Sequence, residues 1–431
     1  MDTDRPYKEE VQTLFRLQKY GIKFGLSKTE NLLKAFGNPH KGQNYIHIAG
    51  SNGKGSVGAF LAAILQEAGY RVGFYTSPHL VRFTERFKIN GREMPRDTAA
   101  GLIKELKEAF ALEEPPTFFE ATTAMALIYF AREGTDLAIM EVGMGGRLDA
   151  TNVISPLVSV ITNISMEHEA FLGDRLLDIA KEKGGVIKEG IDVITGARQP
   201  EVVALFERLA AEKKAPLWRI GRDIRYRTTA SGLHYYGLNE RHKGLKLGLM
   251  GRFQARNGAI ALGVTEILKE KGLPVSSGHI RKGLEECTWP GRLQLVAKSP
   301  LIILDGAHNP AAMRALARSI TQGFTYRRLI LVIGIMEDKD IGQVLRAILP
   351  WTDYVIYTRP VYPRAADPQR LKAAAGDQEK TGEVVSHLFQ ALDRARGVAG
   401  PEDLILVTGS LFTVGESMTY FYPEKYRPED L

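Results

Sequence analysis

Cysteine is nearly absent. Cys287 is the one cysteine in 431 residues, so no disulfide can form within the chain and a thiolate zinc site lacks its ligands. A reducing cytoplasm suits such a chain. Cys287 itself, in EECTWP at an expected helix end, reads as a core or boundary residue. Long apolar runs are missing as well. The longest, Val57–Leu65, falls well short of the ~18 residues a membrane span requires. The opening stretch MDTDRPYKEEVQ is charged and carries no apolar segment of the signal-peptide kind. No basic block, zinc-finger spacing or RNP pattern occurs, which argues against a nucleic-acid partner although the net charge is +7. The basic residues are spread along the chain, as on a solvated surface, and the balance also suits a pocket for a polyanion such as ATP. There is no internal repeat and no low-complexity tract. What remains is 44% apolar and 25% charged, ordinary for a globular chain with room for more than one core.

Against that background one stretch stands out, HIAGSNGKGSVGAF over 47–60. An apolar run leads into Gly50, Gly53 and Gly55 around Lys54, and apolar residues at helical spacing follow. The literal phosphate-loop pattern, G-x-x-x-x-G-K-[ST], is not met: the glycine spacing is short and Gly55 separates Lys54 from Ser56. The physical requirements are met. Glycines let backbone N–H groups turn toward an anion, a helix N-terminus adds partial positive charge, Lys54 brings a mobile cation and Ser56 a hydroxyl.

Strand-like and helical runs alternate along most of the chain, which predicts an α/β protein of largely parallel sheets. Strands are expected at 45–49, 72–76, 137–142, 157–164 and 191–196, with helices at 56–68, 96–111, 119–132, 175–189 and 200–214. Residues 223–250 alternate and carry glycine turns, as short antiparallel strands do, and helices at 253–271 and 277–287 follow. Trp289-Pro290-Gly291 then breaks the pattern, and the rhythm restarts with strands at 301–305, 329–334, 354–358 and 404–409. Helices are expected there at 310–321, 339–349, 368–376, 383–397 and 411–420. The expectation is two doubly wound domains, a large one over 1–294 and a smaller Rossmann-like one over 295–431.

Polar residues gather where these strands end, the place where open α/β sheets bind ligands. Ser77 lies in TSPHLVRFTER, which also holds Arg82. Glu141 ends a strand in MEVGMGGRLDATN, before a glycine-rich loop. His168 lies in ITNISMEHEAFLG, and Lys181, Lys183 and Lys188 in IAKEKGGVIKEG. Asn257, Arg292, Asp305, His308 and Ser410 surround the second domain. Carboxylate, imidazole and hydroxyl near a phosphate loop form a plausible divalent-ion set, although Mg²⁺ prefers oxygen. Each residue alone has a plainer reading as a cap, a turn or a solvated face.

Taken together, GSNGKGS, TSPHLVRFTER, PTFFEATTAMAL, EVGMGGRLDATN, ITNISMEH, IAKEKGGVIK, PGRLQ, LDGAHNP and VTGSLF resemble, in order and over nearly the whole chain, the folate branch of the Mur ligase family. The resemblance implies a central-type ATPase domain and a C-terminal ligase domain. It implies an ATP-dependent ligase that activates a dihydropteroate or folate carboxylate as an acyl phosphate and joins it to the amine of L-glutamate. By the same resemblance, Gly53, Lys54, Gly55, Ser56, Asn257, Arg292 and Asp305 hold ATP, with Ser77, Glu141 and His168 as ligands of two Mg²⁺ ions. Arg82, Thr117, Phe118, Phe119, Glu120, Leu148, Asp149 and Ala150 lie on the pterin side, and His308 and Ser410 on the glutamate side. Lys54, His168 and Lys183 would be catalytic, Lys183 as a carbamate that binds metal. A cytoplasmic monomer serving folate synthesis and one-carbon metabolism is expected, with small-molecule substrates only and neither nucleic acid nor membrane as partner. Three positions depart from the family pattern: Ser51 for Thr, Glu167 for Asp and Gly185 for Ala. The alternatives are a Mur-type ligase for a cell-wall nucleotide-peptide and, from another class, a phosphate-loop ATPase switch.

Overall fold

A computed structural model describes residues 5–21, 23–110, 115–378 and 380–427. The large domain is built on eight strands: β1 (Tyr45–Ala49), β2 (Val72–Tyr75), β3 (Phe87–Ile89), β4 (Arg92–Glu93), β5 (Leu137–Glu141), β6 (Val158–Ile161), β7 (Asp192–Thr195) and β8 (Leu217–Arg219). Their order is β4-β3-β2-β5-β1-β6-β7-β8. Every pairing from β2 to β8 is parallel, and β3 and β4 add an antiparallel edge that the alternation of the sequence did not predict.

Strand β1 shows why helices cover both faces. Ile46 and Ile48 pack into one core, whereas Tyr45 and Ala49 point the other way into two others, the period-two alternation of a strand buried on both sides. In chain order the helices of this domain are α1 (Arg5–Arg16), α2 (Ser27–Ala35), α3 (Lys54–Glu67), α4 (Arg96–Phe110), α5 (Phe118–Arg132), α6 (Glu169–Leu172), α7 (Leu176–Gly184), α8 (Pro200–Glu212), α9 (Gln254–Glu270) and α10 (Ser277–Glu286). Helices α3, α9 and α10 cover the face of Ile46 and Ile48; α1, α2, α4 and α5 cover one half of the other face and α7 and α8 the other half. The expected antiparallel region is a three-stranded sheet of β9 (Arg225–Thr229), β10 (Gly232–Tyr236) and β11 (Arg241–Leu245). Cys287 is buried just beyond the end of α10. No helix of the described residues is long and apolar enough to cross a membrane.

The small domain has six strands: β12 (Gln294–Lys298), β13 (Leu301–Leu304), β14 (Leu329–Ile333), β15 (Tyr354–Arg359), β16 (Gly382–His387) and β17 (Leu404–Thr408). They run in the order β12-β13-β17-β14-β15-β16, with only β12 antiparallel. Helices α11 (Pro310–Gly323), α12 (Ile341–Ile348) and α13 (Pro368–Ala375) pack on one face, α14 (Leu388–Val398) and α15 (Leu411–Phe421) on the other.

Two expected helices need correction. The one predicted over 383–397 is a strand, β16, followed by α14. Val384 and Val385 pack into the cores on opposite sides of the sheet, which helical spacing would not allow. The one predicted over 175–189 ends at Gly184, because the two glycines there take up close contacts of their own. Strand β12 stands where no strand was expected. Of the helix expected over 96–111, residue 111 lies outside the described residues, as does the opening of the chain over 1–4.

Candidate active site

The phosphate loop forms because β1 and α3 cannot be joined without left-handed backbone. Gly50 has φ +139 and Gly53, the cap of α3, has φ +89. Crowding adds to this. A Cβ on Gly53 would lie 2.7 Å from Asn257 Oδ1, and one on Gly55 2.9 Å from Trp289 Nε1. Neighbouring elements therefore press side chains onto the loop. Asn257 on α9 donates to Gln254 Oε1 at 2.8 Å, and Gln254 donates to Ser56 Oγ at 3.3 Å. Ser51 and Asn52 are tied to the loop after β6: the Ser51 amide donates to Asn163 O, the Asn52 amide to Asn163 Oδ1, and Thr162 Oγ1 to Asn52 O. The shorter Ser51 is accommodated; its hydroxyl donates to Ser165 O at 3.1 Å.

Two lysines converge on one carbonyl. Lys54 Nζ donates to Gly50 O at 2.9 Å and Lys183 Nζ to the same oxygen at 3.1 Å. Lys183 is buried on α7 and pairs with Glu167 Oε1 at 2.7 Å. Burial drives its ammonium below the usual lysine range, against the pull of Glu167. For Glu167, burial alone would raise the carboxyl, but Lys183 and Lys54 bring it down to about 2. The longer Glu at this position thus reaches the lysine. His168 follows in left-handed backbone with φ 49. Burial and then Lys339 of the small domain lower its imidazole to about 4, so it is neutral with a lone pair to offer. Glu141, at the end of β5, is buried and makes no ion pair among the described residues. Its carboxyl is raised by burial, and Lys54, Arg292 and the Ser77 backbone oppose the shift.

A buried carboxylate without an ion pair next to Ser77, together with a neutral imidazole that borders the same two lysines, offers donor types that fit a divalent cation. Among the described residues no cluster of three His, Cys, Asp or Glu side chains is ready-made for a metal; the expected set draws two of its members from those types.

Gly185, the third departure, has a steric reason. A Cβ there would lie 2.4 Å from Arg147 Cα, so the glycine-rich loop after β5 seats itself on the end of α7. The Arg147–Glu182 ion pair at 2.9 Å holds that seat. Asp149 on this loop is engaged locally, accepting from Met144 N, Thr151 N and Thr151 Oγ1. Ala150 is buried, and Leu148 O accepts from Gly25 N. Thr117 and Glu120 cap α5 reciprocally. Phe118 stacks on Phe15 at 5.2 Å, and Phe119 packs against Gly143. Arg82 does not join this group. It pairs with Glu93 and lies over the ring of Tyr426.

The small domain contributes Asp305, whose oxygens accept from Leu293 N and Ala307 N at 2.9 Å each. Burial raises its carboxyl, opposed by Arg292. His308 Nδ1 donates to Gly306 O at 2.8 Å, and burial lowers the ring to about 4. Ser410 caps α15.

Several residues of this cleft escaped the sequence reading. Asn309 Nδ2 donates to Asn52 Oδ1 at 2.9 Å, joining the phosphate loop to the small domain. Both asparagines lie inside quoted motifs, but nothing in the sequence paired them. Arg86 is buried, donates to His79 Nδ1 at 2.9 Å and lies over the Phe118 ring at 5.1 Å; its signal was the second arginine of TSPHLVRFTER. His47, on β1, shares a hydrogen bond of 2.8 Å with Thr151 Oγ1, which in turn donates to Asp149 Oδ1. The threonine proton is committed to Asp149, so His47 Nε2–H is the donor.

Comparison with known proteins bears on the whole chain. Residues 48–265 match the Mur ligase middle domain, and residues 291–411 the Mur ligase glutamate ligase domain. Over 411 residues the chain is 33% identical to the dihydrofolate synthase/folylpolyglutamate synthase of Bacillus subtilis, covering 92% of this chain and 95% of that protein. It is 36% identical over 434 residues to a Haloferax volcanii protein named "Probable bifunctional folylpolyglutamate synthase/dihydropteroate synthase", covering 96% of this chain. The chain spans about half the length of that relative and of a Halobacterium salinarum counterpart, 50% and 51%. Among solved structures, Escherichia coli FolC in complex with DHPP and ADP superposes with a TM-score of 0.89 at 33% identity, covering 96% of this chain and 98% of that one. A Yersinia pestis bifunctional folylpolyglutamate synthase/dihydrofolate synthase with Mn, AMPPNP and L-glutamate bound has a TM-score of 0.85 at 32% identity, covering 96% and 98%.

Proposed function

The chain belongs to the Mur ligase family, in the group of dihydrofolate and folylpolyglutamate synthases, and from that premise we propose that it is an ATP-dependent ligase joining L-glutamate to a pteroyl carboxylate. The observation that carries the reading is the meeting, in one cleft, of the Lys54 loop and the small-domain loop of Asp305–Asn309 through the Asn52–Asn309 bond. The loop amides and Lys54 bind the nucleotide phosphates, with Asn257, Arg292 and Asp305 on its remaining side. A carboxylate oxygen of dihydropteroate, or of a folate's terminal glutamate, attacks the γ-phosphorus, ADP leaves, and the amine of glutamate displaces phosphate from the acyl phosphate, losing a proton. Holding three reactants in one cleft supplies the alignment such a sequence requires. Thr117 to Glu120 and Leu148 to Ala150 line the pterin side, and His308 and Ser410 the glutamate side. Ser77, Glu141 and His168 would hold Mg²⁺, which supplies charge neutralisation at the transferring phosphoryl group.

Lys183 is the candidate for carbamylation, in which its neutral amine adds to the carbon of CO₂ and releases a proton. Burial and the lowered pKa favour that neutral amine. A carbamate beside ionised Glu167 places two anions in one space, which is why a second Mg²⁺ belongs to the reading. The test is Lys183→Ala assayed with and without acetate, where partial rescue supports the role and full activity without acetate removes it. One chain supplies both loops of the cleft, consistent with a monomer, and the single buried cysteine suits the cytoplasm.

The deciding experiment measures phosphate release with ATP, glutamate and either dihydropteroate or a reduced folate, against DNA, RNA or no acceptor. Release with both pteroyl acceptors and not with nucleic acid is expected. Release with neither acceptor returns the reading to the cell-wall ligase or the ATPase switch.

A further inference from the structure

A cavity of about 560 Å³ opens between the domains beside the cluster just described. Ser77, Glu141 and Arg292 border it at one place, and Lys88, Trp289 and Arg82 border it elsewhere. Trp289 is also the residue packed on Gly55, so the cavity adjoins the phosphate loop directly. The charged groups nearest Lys88 are engaged, Arg82 with both Glu85 and Glu93. Glu85 accepts from the amides of Leu80, Val81 and Arg82. Glu93 accepts from Arg82 Nε and Nη2 and from Thr84 Oγ1.

Lys88 differs. It projects from the edge strand β3, its ammonium lies 5.1 Å from the centre of the Trp289 ring, and it forms no ion pair among the described residues. Burial lowers its pKa, while Glu85 and Glu93 act to hold the charge. A cation–π contact to Trp289 orients the ammonium without neutralising it. An ammonium removed from bulk water and lacking an ion pair is a place for an anion.

We propose that this cavity is the subsite for the γ-glutamyl tail of a folate acceptor, with Lys88 pairing an α-carboxylate of that tail. The inference rests on the ligase reading, which puts the reacting carboxylate beside Ser77 and Glu141. A folate that already carries glutamates trails one α-carboxylate per residue behind that point, and dihydropteroate trails none. A cavity that starts at the reaction centre and presents the part-buried Lys88 ammonium, oriented by Trp289 and without an ion pair, matches the first acceptor and is superfluous for the second. The exposed cations Arg92 and Lys425 lie on the same lining.

The test compares wild type, Lys88→Met and Lys88→Arg with three acceptors: dihydropteroate, tetrahydrofolate with one glutamate and tetrahydrofolate with three. Loss of one charge-assisted contact raises the KM of the triglutamate by about tenfold in Lys88→Met. The KM values for dihydropteroate, ATP and L-glutamate stay within about twofold under the same reasoning, and Lys88→Arg restores the triglutamate. An equal rise for dihydropteroate and the triglutamate, or no rise for either, overturns the subsite. A rise confined to L-glutamate also overturns it, by assigning Lys88 to the incoming amino acid. Binding of the triglutamate to Lys88→Met without ATP, measured by calorimetry, gives the same answer if turnover is lost. Wild-type protein that uses no pteroyl acceptor refutes the ligase reading instead, an outcome separate from all of these.

Discussion

The two domains end their parallel strands in polar loops that face one cleft, yet the two edges are wired differently. At the small-domain edge each polar side chain closes on nearby backbone. Asp305 takes two amides, His308 takes the Gly306 carbonyl, Asn309 accepts from Ala312 N, and Ser410 accepts from Thr413 N. At the large-domain edge the ionisable groups face one another. Lys54 and Lys183 share one carbonyl, Glu167 answers Lys183, and Glu141 is buried without an ion pair. Polar groups that close locally hold a loop in shape. Groups buried against each other carry a desolvation cost that local structure does not repay, and such groups mark where a ligand's charge completes the arrangement. Substitutions at the first edge should therefore lower stability, and substitutions at the second should lower turnover.

The sharpest form of that contrast is Lys54. Its ammonium makes one hydrogen bond, to Gly50 O, and projects from the first turn of α3. Lys54→Ala should reduce kcat by about 10²–10³, the usual effect of removing one preorganised charge stabiliser. The urea midpoint should stay near that of wild type. A variant that loses stability and turnover together would place Lys54 with the small-domain edge and erase the distinction.

His47 tests whether the large domain is uniform in this respect, because the loop it supports is locally closed. It is fully buried, and burial followed by Lys188 lowers its imidazole to about 3. In the unfolded chain it titrates near the usual ~6.5. The folded state therefore binds fewer protons than the unfolded one between those values. Stability supplied by neutral His47 is complete above the unfolded pKa and is lost as pH falls toward the folded one. The loss from this group has a limit of about 1.4 kcal/mol per pH unit. His47→Leu should flatten the acid limb of a stability–pH curve below the unfolded pKa, read by denaturant titration at several pH values. An unchanged slope would show that His47 is not the buried neutral group of this loop.

How much of this was legible follows from what each feature depends on. The phosphate loop was readable because glycine, lysine and serine at short range carry the requirement within one stretch. The strand ends with Glu141, His168, Asp305 and Ser410 were readable because apolar runs stop abruptly there. Strand β16 was not, since Val384 and Val385 look like part of a helix until an edge strand offers them two faces. The need for Gly185 was hidden because its reason is the Arg147 backbone, reached only after the loop folds onto α7. Lys88 was invisible for a related cause: its lack of an ion pair depends on Glu93, its cross-strand neighbour, being taken by Arg82.

Ser410 gives the smaller stability test at the other edge. It accepts from Thr413 N at 2.9 Å and shares a hydrogen bond of 2.8 Å with Thr413 Oγ1. Ser410→Ala removes an N-cap from α15, which costs about 1 kcal/mol. Chemical denaturation should show that loss with dihydropteroate as the acceptor and glutamate saturating, while kcat changes by less than about threefold on the same energy scale. A much larger fall in kcat at saturating glutamate would give the serine a direct part in the reaction and weaken the division between the edges.

The weakest expected effect is at the joint between them. Asn52 and Asn309 are 257 positions apart in sequence, and Asn309 Nδ2 reaches Asn52 Oδ1 at 2.9 Å, while the return contact from Asn52 Nδ2 to Asn309 Oδ1 is 3.4 Å. The two are not equivalent. Asn309 Oδ1 also accepts from Ala312 N at 2.8 Å and so caps α11. Asn309→Ala therefore removes a cap, worth about 1 kcal/mol, together with the joint. Asn52→Ala removes the joint and a 3.3 Å contact to Ser165 Oγ, and leaves the cap intact. Neither single variant isolates the bond, but the double-mutant cycle does, since the cap and the serine contact cancel in the difference. A neutral hydrogen bond of this kind should give a coupling of about 0.5–1.5 kcal/mol. The informative readout is the KM for ATP, because the bond fixes the phosphate loop against the small domain while contributing no charge to the reaction. Coupling in KM with none in kcat would mean that the joint serves assembly of the cleft. Coupling in kcat alone would mean that the two edges meet only as the reaction proceeds. A value of zero in both would show that the loops do not touch in the working enzyme, and that the two edges act independently.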